Sequence, residues 1–320
     1  MNASRNNTIR PSSYNYIFVE WLRIFAAFGI VVFHAYDRQT GLIRSIGYFG
    51  LPAFLSIFSA LLFERSSLFG SFPTFLLKRA RRLLLPWVFW SCIYLLLAFV
   101  KTYWIHKPES FGLSILTFLT GTSIHLWYLP YAFLASILIY GLIWLRPKLG
   151  RSFLFLCIAG FMGVLVFSSY GLKHWRLPVP FPQWVFGTPA VFYGLLLMSM
   201  YQSLPFRRRL AAGIFLVVGT EILLAALYEM GYSGLCISYA IACPLVGTVF
   251  LVSGENIPAA SLALKGGELT YGIYLIHPLL LSFCRFILGE SGSWLVVISV
   301  FAISLVFTYI LKRTVLRIFV

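Results

Sequence analysis

The sequence predicts an all-α fold: a polytopic membrane protein built as a bundle of about ten transmembrane helices, with both termini in the cytoplasm. The first observation is composition, since 60% of the 320 residues are hydrophobic, only 11% are charged, and the mean hydropathy is +0.88. Such a composition excludes an ordinary soluble domain. The second observation is that apolar stretches of about twenty residues, the length that crosses a bilayer, recur along the whole chain. We therefore treat residues 1–320 as a single integral-membrane domain.

The apolar stretches place ten helical spans along the chain, each bounded by charged residues or by Pro and Gly. The first stretch follows a polar N-terminus and has no small-residue cleavage site, which predicts a membrane span and not a cleaved signal. The predicted spans are residues 15–36, 47–63, 83–101, 126–145, 152–171, 184–203, 210–229, 233–252, 269–288 and 294–312.

The distribution of basic residues predicts the orientation of these spans. With an even number of spans, both termini lie on the same side of the membrane. That side carries 17 of the 25 Lys and Arg residues, the opposite side carries 6, and the other two, Arg23 and Arg285, lie within spans. Because cytoplasmic loops are enriched in Lys and Arg, both termini are predicted to be cytoplasmic.

The net charge of +16 does not indicate nucleic-acid binding, because the basic residues lie in short loops and form no nucleic-acid motif. They are expected to set the topology and to contact lipid headgroups or cofactor phosphates. The five cysteines lack C-x-x-C spacing and the chain has a single aspartate, so we expect neither a disulfide framework nor a metal site. The sequence has no G-x-S-x-G, Walker A or H-E-x-x-H motif, which argues against a serine hydrolase, an ATPase and a zinc protease.

Arg23 and His34, in the first span, are the leading candidates for a reactive site, because ionisable residues inside a membrane are costly and usually functional. Their spacing puts them on one helix face about 16 Å apart, with Glu20 near the same stripe. His34 could be a general base whose second nitrogen is held by Asp37, three residues later, or by Glu20. Two alternatives stay open: His34 could simply bond to a neighbouring helix, and Arg23 could be a structural ion-pair partner of Glu20.

A basic cluster, Lys78-Arg79-Ala80-Arg81-Arg82, opens the third span. Arg79 and Arg82 share a helix face, so their guanidinium groups, with Lys78 beside them, could bind a diphosphate or a 3′-phosphate. The alternative is a topology signal. The run 207–209 is equally basic, but its three consecutive arginines point in three directions, which favours a topology role there.

Aromatic residues accompany a histidine where the fourth span meets the outer surface. His125, Trp127 and Tyr128 lie within six consecutive residues that end at Pro130. They predict either an aromatic belt at the membrane interface or a wall on which a carbohydrate stacks.

A second group of tyrosines and a histidine lies inside the ninth span. Tyr271 and Tyr274 are adjacent on the helix surface, and Pro278 would free backbone carbonyls near His277. The two tyrosines and His277 are therefore candidate substrate-binding residues, and the alternative is a packing and kinking role.

Taken together, these motifs resemble the acyltransferase 3 family of integral membrane acyltransferases over nearly the whole chain. The departures are Phe58-Ser59, where the family has Ser-Gly on the second helix, and the lack of an attached soluble hydrolase-like domain. The stretches that carry the resemblance are Glu20-Trp21-Leu22-Arg23 with Val31-Val32-Phe33-His34-Ala35, the basic cluster followed by Leu83-Leu84-Leu85-Pro86, His125-Leu126-Trp127-Tyr128-Leu129, and Tyr271-Gly272-Ile273-Tyr274-Leu275-Ile276-His277-Pro278.

The resemblance implies a ten-helix bundle that takes an acyl group, usually acetyl, from cytoplasmic acyl-CoA and delivers it to a carbohydrate hydroxyl at or beyond the outer face. By the same analogy Arg79 and Arg82 would hold the CoA phosphates, and Arg23 and His34 would act at the acyl end.

The leading hypothesis is an inner-membrane O-acetyltransferase that uses acetyl-CoA and modifies a cell-surface polysaccharide or its lipid-linked precursor, as in exopolysaccharide biosynthesis. The expected partners are acyl-CoA, a carbohydrate acceptor and the lipid bilayer, but no nucleic acid and no metal. Other polysaccharide-biosynthesis membrane proteins or a second copy of the chain are left open as partners. The alternatives are a translocator of polysaccharide or lipid-linked sugar that transfers no acyl group, and a membrane scaffold.

Overall fold

A computed structural model of the protein describes residues 16–37, 42–103, 115–252, 261–288 and 293–320. Of the residues in these ranges 89% are helical and none forms a strand, which confirms the all-α prediction. The helices are Tyr16–Ala35 (α1), Leu42–Gly47 (α2), Gly50–Glu64 (α3), Phe72–Tyr103 (α4), Thr117–Thr120 (α5), Tyr128–Leu149 (α6), Ser152–His174 (α7), Phe181–Ser203 (α8), Phe206–Glu229 (α9), Ser233–Val252 (α10), Ser261–Leu288 (α11) and Trp294–Lys312 (α12). Short 3₁₀ turns cover Arg65–Leu68, Ile124–Trp127 and Val315–Phe319.

Within the described ranges, nine stretches are long and apolar enough to cross a membrane, and α10 contributes a further apolar helix at Leu235–Leu251. Each of the ten predicted spans coincides with one long helix, so the protein is a multi-pass membrane protein. Two predicted starts were wrong. Helix α4 begins at Phe72, not at 83, and α11 begins at Ser261, not at 269. Helix α4 runs on through the basic cluster, whose Lys and Arg are good helix formers. Helix α11 runs on through Lys265, Gly266 and Gly267, which lower the local hydropathy without ending the helix.

The centre of the bundle is the contact between α3 and α8, whose backbones approach very closely. A side chain at Gly194 would overlap the carbonyl oxygen of Ser56. The hydroxyl of Ser56 donates to the Ala190 carbonyl over 3.0 Å, and that of Ser59 donates to the Val191 carbonyl over 2.6 Å. Small residues and interhelical hydrogen bonds of this kind hold membrane helices together where no hydrophobic effect can.

Helix α1 lies against α3 on one side and α11 and α12 on the other. Its approach to α3 depends on Gly50, where a side chain would overlap the Ala26 carbonyl. Helix α11 approaches α12 in the same way at Gly272, which faces Thr308. These contacts bring α1 and α11 side by side, so the candidate residues of the first and ninth predicted spans become neighbours.

Candidate active site

A cavity of about 190 Å³ lies among α1, α3, α4, α6 and α11. Four guanidinium groups and one carboxylate face it, which gives the cavity a net positive charge. Apolar side chains such as Ile30 and Phe58 cover the rest of its wall. The polar lining consists of Glu20, Arg23, Arg65, Arg79, Arg82, Tyr128, Thr270, Tyr271 and Tyr274.

Arg23 and Glu20 line the cavity as an ion pair. The guanidinium of Arg23 donates to both carboxylate oxygens of Glu20, over 2.8 and 3.0 Å. Glu20 is only 9% exposed and its carboxylate lies so close to Gly267 on α11 that a side chain there would overlap it. The two interpretations of Arg23 are therefore compatible, because it pairs with Glu20 and still presents its charge to the cavity.

Arg79 and Arg82 face the cavity from α4, as predicted from their spacing. Arg79 also lies over the ring of Phe75, with 5.6 Å between the guanidinium carbon and the ring centroid. Lys78 is exposed and lies outside the cavity lining, so the structure brings together only two of the three predicted basic residues.

Arg65 is a site residue that the motif analysis missed. It follows α3 directly and reaches the same cavity, where it interacts electrostatically with Arg79 and Arg82. A signal for it was present, because Arg65 ends the second predicted span on the same side of the membrane as the basic cluster.

The predicted tyrosines also converge on the cavity. Tyr128 from α6 and Tyr271 and Tyr274 from α11 line it, and the Tyr274 hydroxyl donates to the backbone carbonyl of His125. Trp127, by contrast, is buried against Tyr128 and Tyr131, with ring centroids 6.2 and 5.7 Å apart, and does not line the cavity.

Three histidines that are far apart in the sequence form a cluster next to the cavity. The ring of His277 lies 5.0 Å from that of His34 and 5.8 Å from that of His125. His277 is fully buried and His125 is 3% exposed. The cavity lining includes Ile30, one turn before His34, and Tyr274, one turn before His277, so the histidine cluster begins about one helical turn beyond the cavity wall.

Tyr94, on α4, packs against the histidine cluster, and no sequence motif indicated it. Its ring lies 4.8 Å from that of His125, and its hydroxyl donates to the Leu275 carbonyl over 2.7 Å. Among the residues that the structure describes, no three His, Cys, Asp or Glu side chains are grouped so that they could hold a metal ion.

Asp37, one of the two residues predicted to hold His34, forms its ion pair with a different residue. Asp37 accepts a hydrogen bond of 2.7 Å from Arg285 of α11, and no bond between Asp37 and His34 is found among the described contacts. Arg285 also donates to the carbonyls of His34 and Ala35, each over 2.9 Å. A cation at this position satisfies the unpaired carbonyls of the last turn and suits the negative end of the helix dipole. Arg285 therefore fixes the end of α1 that carries His34.

A comparison of the chain with models of known protein families covers the whole of this site. A family model described as an acyltransferase domain matches residues 16–313, which include the cavity and the histidine cluster. No curated protein and no solved structure matches the chain.

Proposed function

The chain belongs to the acyltransferase 3 family, and from that premise we propose that it is a membrane-bound O-acyltransferase of surface carbohydrate. It would transfer an acetyl group from cytoplasmic acetyl-CoA to a hydroxyl of a cell-surface polysaccharide or its lipid-linked precursor, in the inner membrane. The observation that carries this proposal is the adjacency of an arginine-lined cavity and a histidine cluster in which His125 and His277 are buried.

The arginine-lined cavity supports an acyl-CoA donor. CoA carries a diphosphate and a 3′-phosphate, and guanidinium groups bind phosphate oxygens in pairs. The cavity, at about 190 Å³, is smaller than the pockets of roughly 300–1,000 Å³ that hold drug-sized ligands, so only part of CoA would enter. We expect the phosphates to bind at Arg65, Arg79 and Arg82, with the acyl arm directed inwards past Tyr274.

The histidine cluster supports the transfer step. His34 would take the proton of the acceptor hydroxyl, and the oxygen would then attack the thioester carbonyl. Arg23 lies about 16 Å from His34 by the helix rise and is paired with Glu20 among the other cavity arginines, so its proposed role is to orient the donor. Asp37 and Glu20, which were predicted to hold His34, would instead stabilise Arg285 and Arg23.

The test is a transfer assay with purified protein, radiolabelled acetyl-CoA and the polysaccharide of the producing cell. The proposal predicts label that stays on the glycan after gel filtration and is released by mild alkali, as expected of an ester. A translocator would move glycan across the membrane of a vesicle and leave it unlabelled. Unlabelled glycan at saturating acetyl-CoA would therefore reject the proposed function.

A further inference from the structure

The sequence His277-Pro278 determines which nitrogen of His277 carries the proton. Proline has no backbone N–H, so Pro278 cannot donate the helical hydrogen bond to the carbonyl of Tyr274, four residues earlier. The Nδ1 atom of His277 takes its place, 2.8 Å from the Tyr274 oxygen and 3.2 Å from that of Ile273. A carbonyl can only accept, so Nδ1 must carry the proton, and in the neutral ring Nε2 is left as an acceptor.

The Nε2 atom of His277 is buried and has no hydrogen-bond partner among the residues that the structure describes. Because Nδ1 is held against its own helix, Nε2 points away from α11. The ring of His34 lies on α1 with its centroid 5.0 Å from that of His277. The two rings are therefore close enough for us to infer that an N–H of His34 reaches this acceptor when the His34 ring rotates.

The carboxylates that could have held His34 are already engaged. Asp37 forms an ion pair with Arg285, and Glu20 pairs with Arg23 about four helical turns before His34. His125 is a further neighbour, whose Nδ1 lies 2.9 Å from the Ser123 hydroxyl and whose ring is 5.8 Å from that of His277. His277 therefore presents to His34 a buried acceptor that the architecture of its own helix holds in place.

We propose that His277 is the positioning residue of the reactive histidine: its Nε2 accepts a hydrogen bond from one N–H of His34 and leaves the other nitrogen of His34 as the base. This inference rests on the proposed function. In the reaction the hydroxyl proton moves to the free nitrogen of His34, the acceptor oxygen bonds to the thioester carbon, and the carbon–sulfur bond breaks. His34 then returns the proton to the leaving thiolate, and the bond from His34 to His277 is kept throughout.

Two substitutions at His277 separate this role from a structural one. In His277→Asn the amide lies where Nδ1 was, so it can still donate to Tyr274 but leaves no acceptor for His34. In His277→Gln the amide reaches the place of Nε2 and can supply that acceptor. We expect His277→Asn to lower kcat about 100-fold with the KM for acetyl-CoA unchanged. The kcat of His277→Gln should be about tenfold higher than that of His277→Asn, or more.

A third variant tests the role of the proline. In Pro278→Ala the new backbone N–H would bond to Tyr274 and compete with His277 Nδ1, so the ring would no longer be held in one tautomer. Alanine is a better helix former than proline, and the fold should tolerate it. We expect kcat to fall about tenfold, the effect of weakening one hydrogen bond. Pro244→Ala, in the middle of α10, is the matched control and should leave kcat unchanged.

The outcomes distinguish this inference from the proposed function. If the wild-type protein transfers no acetyl group, the function itself is wrong. If the wild type is active but His277→Asn keeps its kcat, or Asn and Gln lower it equally in well-folded protein, the positioning role is wrong. Size-exclusion profiles and melting temperatures in detergent establish that each variant is folded.

Discussion

The arginine-lined cavity and the histidine cluster both take side chains from α1 and α11. They differ in their charge and in the chemistry of their side chains. Helix α1 supplies Arg23 to the first and His34 to the second, and α11 supplies Tyr271 to the first and His277 to the second. The cavity holds four guanidinium groups around one carboxylate. The cluster holds three imidazole rings, of which His125 and His277 are buried, and their Nε2 atoms have no hydrogen-bond partner among the residues that the structure describes.

The difference suggests that binding and chemistry are separated along the helix axes. Fixed positive charges attract a polyphosphate strongly when water is partly excluded, so the cavity supplies affinity. A histidine can act as a base only while it keeps a lone pair, and we assign the proposed proton transfer to the histidine cluster. Substitutions in the cavity should therefore change KM, and substitutions in the cluster should change kcat.

The largest effect is expected from His34→Ala. Removing a general base typically costs 10²–10⁴-fold in rate, so we expect kcat to fall by about that factor while the protein still inserts into the membrane. Acetate content of the glycan, measured in cells that produce equal amounts of either protein, checks this. Acetate at the wild-type level would show that the cluster is not the reaction site.

The next effect concerns the cavity. The double substitution Arg79→Ala with Arg82→Ala should raise the KM for acetyl-CoA about 10- to 100-fold, the net effect of one charge-assisted hydrogen bond of roughly 1.5–3 kcal/mol, because Arg23 and Arg65 stay in the cavity. The value of kcat at saturating donor should change little. Arg207→Ala with Arg208→Ala removes the same charge from exposed positions and serves as the control. Equal KM values in the two double variants would show that the cavity arginines do not bind acetyl-CoA.

A smaller effect is expected where α11 meets the Glu20–Arg23 pair. The new methyl group of Gly267→Ala would overlap the Glu20 carboxylate and force it away from Arg23. Overpacking of this kind costs about 1–3 kcal/mol, and we expect a lower melting temperature together with a KM raised several-fold. Gly163→Ala, whose methyl group would meet open space, is the control. An unchanged KM in the Gly267 variant would mean that the ion pair does not orient the donor.

The smallest effect is expected at the end of α1. Arg285→Gln removes the donor to the His34 and Ala35 carbonyls and should lower kcat about threefold, within the range of one hydrogen bond. Asp37→Asn should do less, because the Asp37 side chain is 41% exposed. A larger loss in the Asp37 variant than in the Arg285 variant would restore a direct role for Asp37 beside His34.

Much of this molecule was predictable from local pattern. Hydropathy located the ten long helices, and helical spacing correctly placed Arg79 with Arg82 and Tyr271 with Tyr274. The starts of α4 and α11 were missed because basic residues in α4, and Lys265 with two glycines in α11, continue the helix without an apolar signal. Such boundaries are set by backbone hydrogen bonding, which hydropathy does not report.

Contacts between distant parts of the chain were not predictable. The spacing of Arg23 and His34 predicted one shared pocket, but the folded bundle separates them, since Arg23 lines the cavity and His34 joins the histidine cluster. Asp37 was assigned to His34 because it is close in sequence, whereas its partner Arg285 lies on another helix. Tertiary packing determines which charged residues on different helices pair, and the periodicity of a single helix does not predict those pairs.

A sided transfer assay in proteoliposomes tests the central claim most directly. Radiolabelled acetyl-CoA is supplied only to the face that carries Arg79 and Arg82, and the polysaccharide only to the opposite face. The account predicts labelled glycan with the wild type, none with His34→Ala, and none when the two substrates exchange sides. Equal labelling from either side, or glycan that crosses the bilayer unlabelled, would contradict it.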